Sequence, residues 1–595
     1  MCGIFGAIEK SNQGLSDLKI ELLQKSIQHR GPDGNGFYKF NNFAVFGNVR
    51  LAIVDRSLGQ QPIFDDTGDW GIVYNGEVYN HSELRERLIA KGWSFKTKSD
   101  TEVVLKHFIA SGVDGIKDLN GMFSFCIWNI KKNEYFIARD RLGIKPLYIY
   151  EDVGRFIFSS ELKTIAQYPG VNLELNPLGI QDNLYFRYNP APHTIYKNVT
   201  KLDPGTYLHF KGTNYTRWPF WNVSNHGPFK KFESEAEAVR ELDVLLEKAI
   251  KSQLMGEVPV GVLLSGGLDS STISYYIHKF GQDLKTFNIG FKELNEFEFS
   301  RAVAKKFGLQ HYELETSVDE LIANYEGILE SIDEPIADPA CFPLFILAKE
   351  LKKHVTVVLS GEGGDELFGG YNQYVNILKK FDASTTVDDR YNAFIENSFY
   401  FTDVNHYMNQ KMLPKDYLRF KKYFYEAPIL SMNIYDLVTW MPDNLMMKAD
   451  KTLMYHSLEG RFPFLDNDLL DFSFRLPEKM KINDSLITKY ILRKLVEPNL
   501  PKSVLERPKM GFSVPVPELL TKLGDRVNTA FESPNQQLKE IVNWNYFEQM
   551  KNNFFKSNDH SNALKLWNFF ILNEKINQYD NYSRVAKPTF AQAEI

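Results

Sequence analysis

The stretch that decides the fold of this chain is VLLSGGLDSS, residues 262–271. A short apolar run, typical of a buried strand, ends in two glycines, and small hydroxyl residues then open a helix-like segment. Gly266 and Gly267 let the backbone approach a ligand closely, and the free N–H groups at a helix start attract phosphate. The stretch lacks the Gly-Lys-Ser/Thr of a Walker loop. It therefore predicts an anion site at a strand end of an α/β sheet.

A second strand-to-loop junction, VVLSGEGGDELFGGY at residues 357–371, repeats this chemistry. In an open parallel sheet, ligands bind outside the carboxyl ends of the strands, so we expect both loops at one edge. Asp269 and Asp365 could then share Mg²⁺ on a pyrophosphate, and Glu362 would be available for proton transfer. The structural alternatives are a glycine-rich turn for the first loop and a solvated acidic turn for the second.

The rest of the chain divides into two regions, which we predict as domains 1–222 and 223–595. The first is rich in short aromatic and β-branched runs with intervening helical stretches, a mixture that predicts an α/β sandwich. In the second, apolar strands alternate with helices and predict a doubly wound parallel sheet, followed by a mostly helical part. A hairpin and polar linker separate them, and Ser234 with Glu237 predicts a capped helix start.

Composition excludes several classes of partner. The 595 residues carry a formal net charge of −6 and 43% hydrophobic residues, so neither nucleic acid nor a membrane is an expected partner. The start lacks the basic and apolar regions of a signal peptide. The three cysteines show neither disulfide pairing nor metal spacing, which indicates the cytoplasm. Cys126 and Cys341 are expected in the core, whereas Cys2, in MCGIFGA, is either a core residue or a nucleophile.

The motifs of the second region resemble those of a known family. SGGLDS is similar to the pyrophosphate loop of ATP pyrophosphatases. Together with SGEGGDELFGGY, LMMKADKTLMYHSLEGRFPFLD and TKYILRK it resembles the glutamine-hydrolysing asparagine synthetases, nearly end to end. The resemblance implies an αββα Ntn-hydrolase sandwich with glutaminase activity, followed by an ATP-pyrophosphatase domain. It also implies a lysine near the phosphates, Lys489, supported by Arg493, and these ATP-binding residues: Leu263, Ser265, Gly266, Gly267, Asp269, Ser270, Ile289, Ser360 and Gly361.

The same resemblance assigns roles in the first region. Removal of Met1 would leave Cys2 as the N-terminus, with its thiolate as nucleophile and its α-amine as the nearby base. The carried-over roles are an arginine for the glutamine α-carboxylate, an oxyanion hole and two carboxylates for the amino end. The residues that match them are Arg50, Asn75 with Gly76, and Glu77 with Asp100. The purely structural alternatives are a hairpin turn at Asn75-Gly76 and a surface charge at Arg50.

The resemblance also implies a two-stage reaction with glutamine, aspartate and ATP as substrates and Mg²⁺ as cofactor. Glutamine hydrolysis releases ammonia, aspartate is activated as its β-aspartyl-adenylate, and ammonia then gives asparagine and AMP. Glu362 is the candidate base for that last attack. Met122 and Ile144 match apolar positions along an ammonia passage, although a plain core role fits them equally well. The sequence is silent on assembly, for which a homodimer is one option.

Several rival functions stay open or are disfavoured. A same-family enzyme could amidate another carboxylate, such as one on a surface-polysaccharide sugar precursor. Ring-closing relatives lack the N-terminal cysteine, a phosphoribosyl-pyrophosphate amidotransferase would not need SGGLDS, and a regulatory pseudo-synthetase would have lost Cys2, Asp269 or Glu362. Tyr455 stands where the family often has a small residue, and SIDEPIADPA matches only one branch. The sequence assigns no role to four residues: Asp333, Glu334, Asp338 and Tyr455.

Overall fold

The computed structural model describes residues 2–10, 15–40, 43–223, 232–382, 384–398, 401, 404–409, 414–507, 511 and 513–591. The strands in these ranges are β1 Cys2–Glu9, β2 Gly34–Phe40, β3 Ala44–Arg50, β4 Ile63–Phe64, β5 Trp70–Val78, β6 Gly121–Asn129, β7 Glu134–Arg139, β8 Tyr148–Glu151, β9 Arg155–Ser159, β10 Val199–Lys201, β11 Thr206–Lys211, β12 Asn214–Pro219, β13 Val260–Leu263, β14 Lys285–Phe291, β15 His311–Thr316, β16 Val357–Leu359 and β17 Glu459–Arg461.

The α-helices of the same ranges alternate with these strands at first and then dominate. They are α1 Asp17–Ser26, α2 His81–Ile89, α3 Asp100–Ser111, α4 Leu162–Ala166, α5 Pro177–Phe186, α6 Glu235–Ser252, α7 Leu268–Lys279, α8 Phe297–Phe307, α9 Val318–Ala323, α10 Tyr325–Ser331, α11 Cys341–Leu351, α12 Gly364–Phe368, α13 Asn372–Leu378, α14 Val387–Ser398, α15 Val404–Tyr407, α16 Pro428–Val438, α17 Met446–Tyr455, α18 Asn467–Arg475, α19 Glu478–Lys481, α20 Tyr490–Val496, α21 Lys502–Glu506, α22 Val516–Lys522, α23 Gly524–Glu532, α24 Gln536–Ile541, α25 Trp544–Ser557 and α26 Ala563–Ala591. Among the described residues, none of these helices has the length and apolar character needed to cross a bilayer.

The first region is a sandwich of two six-stranded sheets. Their strand orders are β10-β8-β9-β1-β3-β2 and β12-β11-β7-β6-β5-β4. Ile4 and Ile8 of β1 pack between the sheets with Val73 and Trp128, whereas Phe5 faces the outer helices. Successive side chains of a strand point to opposite faces, so β1 is buried on both sides. Helices cover both outer faces, and the predicted αββα sandwich is confirmed.

The second region contains a five-stranded parallel sheet in the order β15-β14-β13-β16-β17. Helices α7 and α8 cover one face, where Val262 meets Ile273, and α11 covers the other, where Val358 meets Ile346. The predicted doubly wound sheet is confirmed. The chain leaves β13 toward β14 on one side and returns to β16 on the other, so the crevice between β13 and β16 is the topological switch point at which such sheets bind ligands.

The junction between the two regions follows the predicted pattern with one difference. Ser234 caps α6, since its hydroxyl accepts the Glu237 N–H at 3.2 Å. The Glu237 carboxylate accepts the N–H of Glu233, one residue before the cap, at 2.7 Å. The predicted hairpin is β11–β12, and linker residues 224–231 lie outside the described residues. The mostly helical part is also as predicted, except that the short strand β17 interrupts it.

Candidate active sites

The predicted glutaminase residues converge on one small cavity at the start of β1. Cys2 lies opposite Arg50 on β3 in the antiparallel register, which follows from the pairing of the first strand with the third. Gly76, Glu77 and Asp100 line the same cavity. Residues separated by up to about a hundred positions in the chain therefore surround one thiol.

The thiol of Cys2 is held in a largely buried position. Gln61 Nε2 donates a hydrogen bond to Sγ at 3.8 Å, and Gln61 Oε1 accepts the Tyr74 N–H at 2.7 Å, which fixes the amide. The Cys2 backbone N–H donates to Asn75 Oδ1 at 3.1 Å. Burial raises the pKa of the thiol, and the charge of Arg50 opposes this. Gln61 is a contact that no sequence motif pointed to.

Arg50 and Asp100 present opposite charges to the cavity. The Arg50 guanidinium donates to the carbonyl oxygens of residues 54–56 at 2.7–3.2 Å, so these contacts orient it while leaving its charge available to an anion. Asp100, at the first turn of α3, accepts the Tyr74 hydroxyl at 2.9 Å and the Val78 N–H at 3.1 Å. This pairing suits a ligand that carries both a carboxylate and an ammonium group.

Glu77 lies where the two regions of the chain meet. Its Oε1 is 3.8 Å from the guanidinium of Arg461 on β17, which in turn binds Glu459 at 2.6 Å. Burial and the negative charge of Glu459 raise the pKa of Glu77 well above its ordinary range. The second region thus contributes a charged partner, Arg461, to a residue that lines the first cavity, which sequence reasoning did not anticipate.

Arg30 anchors the backbone of Cys2. Its Nε donates to the Cys2 carbonyl oxygen at 3.2 Å. Its NH1 contacts Glu161 at 3.0 Å and Asp450, on α17 of the second region, at 2.8 Å. Arg30 belongs to the HRGPDG stretch at 29–34, which resembles a loop near the family's pocket. The contact with Asp450 could not be derived from that motif.

A larger cavity, of roughly 470 Å³, opens at the switch point of the parallel sheet. The predicted residues that line it are Leu263, Ser265, Gly267, Asp269, Ser270, Ile289, Ser360, Gly361, Glu362, Asp365 and Lys489. Gly266 is the predicted ATP-binding residue that does not line it. At Gly266 φ is +72°, and a Cβ there would lie 2.6 Å from Phe299 Cβ, so this glycine serves the tight turn.

The loop after β13 gathers hydroxyl and N–H groups at the start of α7. Ser265 Oγ accepts the Gly267 N–H at 3.2 Å and lies 3.2 Å from Ser270 Oγ, so both hydroxyls gather at the start of α7. Gly361 packs directly against this turn, because a Cβ there would come within 2.9 Å of Asp269 Cβ. The N-terminus of α7, a helix of 12 residues, faces the same space.

Lys489 joins the two glycine-rich loops. Its Nζ lies 2.5 Å from Asp269 Oδ2 and 2.7 Å from Asp365 Oδ1, at the point that the sequence assigns to Mg²⁺. Among the described residues, no group of three or more His, Cys, Asp or Glu side chains is placed to hold a metal by itself. Two carboxylates and one ammonium therefore form the polar centre of this cavity.

The structure places the four residues that the sequence left without a role. Asp333 pairs with Lys451 at 2.9 Å and Glu334 with Lys201 at 3.2 Å. Both are buried ion pairs, and burial raises the pKa of Glu334 to about 7. Asp338 lines the larger cavity.

Tyr455 donates a hydrogen bond to Glu330 at 3.0 Å. It is not among the residues that line either described cavity. Its departure from the family pattern therefore does not bear directly on the shape of either pocket.

One apolar cluster includes residues that line both cavities. Met122 and Ile144 are buried in a cluster that contains Leu51 and Ile53 of the first cavity and Leu268 of the second. Met122 also lies opposite Glu77 in the β5–β6 register. Both predicted residues are thus core residues of a cluster that includes residues lining each cavity.

Comparison with known proteins decides the family. A model of the asparagine synthase family matches residues 241–576, more than half of the chain, and a glutamine amidotransferase domain model matches residues 1–221. The chain belongs to the asparagine synthase family. Asparagine synthetase [glutamine-hydrolyzing] 1 of Bacillus subtilis is 35% identical over 87% of each chain. A putative asparagine synthetase of Mycobacterium bovis is 32% identical over 92% of this chain and 91% of its own. One of Methanocaldococcus jannaschii is 39% identical over 63% of this chain and 76% of its own.

Proposed function

We propose that this member of the asparagine synthase family makes asparagine from aspartate, with glutamine as nitrogen donor and ATP as energy source. The observation that carries the proposal is the presence of two complementary sites in one chain. A buried thiol lies among Arg50, Asn75 and Asp100, and a glycine-rich phosphate cradle lies beside Glu362 at a sheet switch point. The products are glutamate, AMP, pyrophosphate and asparagine.

In the first site, the Cys2 thiolate attacks the side-chain amide carbon of glutamine. Arg50 takes the α-carboxylate of glutamine, Asp100 and Glu77 take its ammonium group, and Asn75 with Gly76 donates to the oxyanion. The amide nitrogen gains a proton and leaves as ammonia, and water then releases glutamate from the thioester. Removal of Met1 frees an α-amine on Cys2 whose pKa of roughly 7.7–8.0 suits proton transfer at neutral pH.

In the second site, the side-chain carboxylate of aspartate attacks the α-phosphorus of ATP, and pyrophosphate leaves. The N–H groups of the α7 turn and the hydroxyls of Ser265 and Ser270 hold phosphate oxygens, and Lys489 neutralises charge on them. Ammonia then attacks the acyl carbon of the adenylate, AMP leaves, and Glu362 accepts the proton that ammonia loses. Residues around Leu263 and Ile289 hold the adenine against the strand ends.

Asp269 and Asp365 fit a site for Mg²⁺ shared with the nucleotide. Their carboxylates converge on Lys489 Nζ, and Asp269 Oδ1 is buried without a hydrogen-bond partner among the described residues. Carboxylate oxygens are the protein ligands that Mg²⁺ prefers, and it completes its shell with phosphate oxygens and water. When bound, the ion would neutralise the charge that develops on the pyrophosphate.

The remaining assignments follow from this function. We assign residues 1–222 to the glutaminase domain and 223–595 to the synthetase domain, with ammonia passing between them along the apolar cluster of Met122 and Ile144. Enclosure matters because ammonia released into water becomes ammonium and is no longer a nucleophile. A cytoplasmic location suits the three unpaired cysteines, and a homodimer is the proposed assembly.

The test is product analysis with purified protein, glutamine, ATP and Mg²⁺. L-aspartate should support release of AMP, pyrophosphate, glutamate and asparagine in equal amounts. A panel of other carboxylates, including sugar acids, serves as the control for the acceptor. Release of AMP with one of those and none with L-aspartate would contradict the proposal.

A further inference from the structure

A charged cluster at one side of the larger cavity is separate from the phosphate cradle. Asp338 Oδ2 lies 3.1 Å from Lys448 Nζ and accepts the amide of Asn444 at 3.2 Å. Arg187, at the end of α5, also lines the cavity, and its charge acts on Asp338. These three charges come from three separate elements and meet beside Glu362, whose charge acts on Lys448.

Asp338 and Lys448 stay ionised in this cluster. Although burial opposes ionisation, the charges of Lys448 and Arg187 hold the pKa of Asp338 down to about 2. Against the same cost of burial, Asp338 and Glu362 raise the pKa of Lys448. A free α-amino acid presents one carboxylate and one ammonium group, which is the complementary arrangement of charge.

The cluster is built on rigid elements. Arg187 adopts φ of +72° as the cap of α5, its carbonyl oxygen accepts the Ala337 N–H at 2.9 Å, and its guanidinium stacks 5.2 Å from the Trp440 ring centre. Lys448 lies on the buried helix α17, directly after a π-helical turn at Met441–Leu445. Such preorganisation lowers the entropy lost when a ligand binds.

The other charged groups of the cavity already have partners that explain them. Lys489 lies between Asp269 and Asp365. Arg493 donates to the carbonyl oxygens of Thr488 and Leu505, and Arg507 pairs with Glu296. Glu366 accepts a hydrogen bond from the Tyr371 hydroxyl. Of the described lining residues, Glu362 and the Arg187–Asp338–Lys448 cluster are therefore the charged groups that neither phosphate binding nor these pairs account for.

We propose that Asp338 binds the α-ammonium group of the acceptor aspartate and that Arg187 and Lys448 bind its α-carboxylate. This assignment rests on the proposed function and names how its second site selects the substrate. The side-chain carboxylate is then directed past Glu362 toward the nucleotide. Arg187 lies in the stretch that matches the amidotransferase model, residues 1–221, so the acceptor site is complete only when both regions are packed together.

The experiment separates the two halves of the ligand by pairing variants with analogues. Synthesis is measured with ammonia in place of glutamine, and binding is compared for L-aspartate, succinate, which lacks the ammonium group, and β-alanine, which lacks the α-carboxylate. Asp338→Asn should raise the KM for L-aspartate by about 10–100-fold, the range for losing one hydrogen bond to a charged group, and leave the inhibition constant of succinate unchanged. Arg187→Gln should likewise raise the KM for L-aspartate by about 10–100-fold and leave the inhibition constant of β-alanine unchanged.

The control removes a charge elsewhere. Lys353→Ala, at an exposed pair with Glu350, should leave the KM for L-aspartate unchanged, and the KM for ATP should stay near the wild-type value in every variant. Glutamine hydrolysis at the other cavity reports that each variant is folded. If Asp338→Asn alone is unstable, the double variant Asp338→Asn/Lys448→Met removes both charges of the buried pair. Because it also removes a ligand of the α-carboxylate, it should weaken the binding of succinate and of β-alanine together and leave the KM for ATP unchanged.

Two failures are distinguishable. A wild-type enzyme that uses L-aspartate, with folded single variants that keep its KM or lose affinity for succinate and β-alanine equally, overturns the assignment and leaves the proposed function intact. A wild-type enzyme that forms AMP with another carboxylate and none with L-aspartate overturns the proposed function together with the assignment.

Discussion

A substitution at the contact between Asp450 and Arg30 tests the link between the two regions, because this contact runs from the second region to the residue that holds the Cys2 backbone. Asp450 is buried on α17 and lies 2.8 Å from Arg30 and 3.4 Å from Lys145. Arg30 in turn holds the Cys2 carbonyl oxygen at 3.2 Å. Asp450→Asn keeps the volume and removes the charge, so we expect it to lower glutamine hydrolysis while sparing synthesis from ammonia.

The size of the effect follows from these contacts. Removing one partner of a buried ion pair costs about 3–5 kcal/mol. Arg30 keeps its contact with Glu161 at 3.0 Å. The cost in folding free energy should therefore be about 3 kcal/mol, at the lower end of that range. Of this cost, the share that acts on Cys2 is the hydrogen bond from the charged Arg30 side chain to the Cys2 carbonyl oxygen, which is worth about 1.5–3 kcal/mol. At about 1.4 kcal/mol per factor of ten, hydrolysis should slow by roughly 10–100-fold.

The assay measures glutamate release without ATP and AMP release with ammonia, in the same preparations. The matched control is Asp471→Asn, at a 3.9 Å contact with Arg141 between the same two regions, where the Asp471 side chain is 53% exposed. An exposed pair is worth about 0–1 kcal/mol, so this variant should behave as wild type. Unchanged glutamate release in folded Asp450→Asn, or an equal fall in both reactions, would refute the reasoning.

Three further predictions test the separate parts. Cys2→Ala should abolish glutamine use and retain ammonia-dependent AMP release; loss of both activities would give Cys2 a structural role. Asp269→Asn should stop AMP release, because it removes a carboxylate beside Lys489, while glutamate release continues; AMP formation at the wild-type rate would contradict its placement. Burial, with the charge of Lys349 nearby, lowers the pKa of His456 to about 4. The unfolded chain binds that proton near pH 6.5, so stability falls as pH drops from about 6.5 to about 4. His456→Gln should flatten this loss in urea unfolding at pH 7 and pH 5, and an identical pH dependence would refute it.

Helix α17 connects the two sites physically. Lys448 faces the acceptor side of the larger cavity, and Asp450, two residues later, faces Arg30 beside the thiol. Side chains two positions apart point to nearly opposite faces of a helix. A shift of this one helix on substrate binding would therefore move charges at both sites.

Much of each cavity could be predicted from sequence because its residues occupy fixed points of local structure. A glycine pair after an apolar run must form a strand-to-helix turn, so the loop at Ser265 and Asp269 was expected at a strand end. Parallel strands align their carboxyl ends, so the loop at Glu362 and Asp365 was expected beside it. Gly266 is predicted to bind ATP; its positive φ places it in the turn, and it is not among the residues that line the cavity.

The sequence by itself determined the local elements and the family. The period of the hydrophobic pattern and the short motifs depend only on residues that are close together in the chain. Only the tertiary structure decided which distant side chains meet. Gln61 reaches the thiol, Arg461 reaches Glu77, and Arg187 joins Asp338 and Lys448 in the second cavity. These contacts depend on how the sandwich and the parallel sheet pack against each other. That packing is set by long-range burial of apolar surface and pairing of buried charges, which leave no periodic signal along the chain.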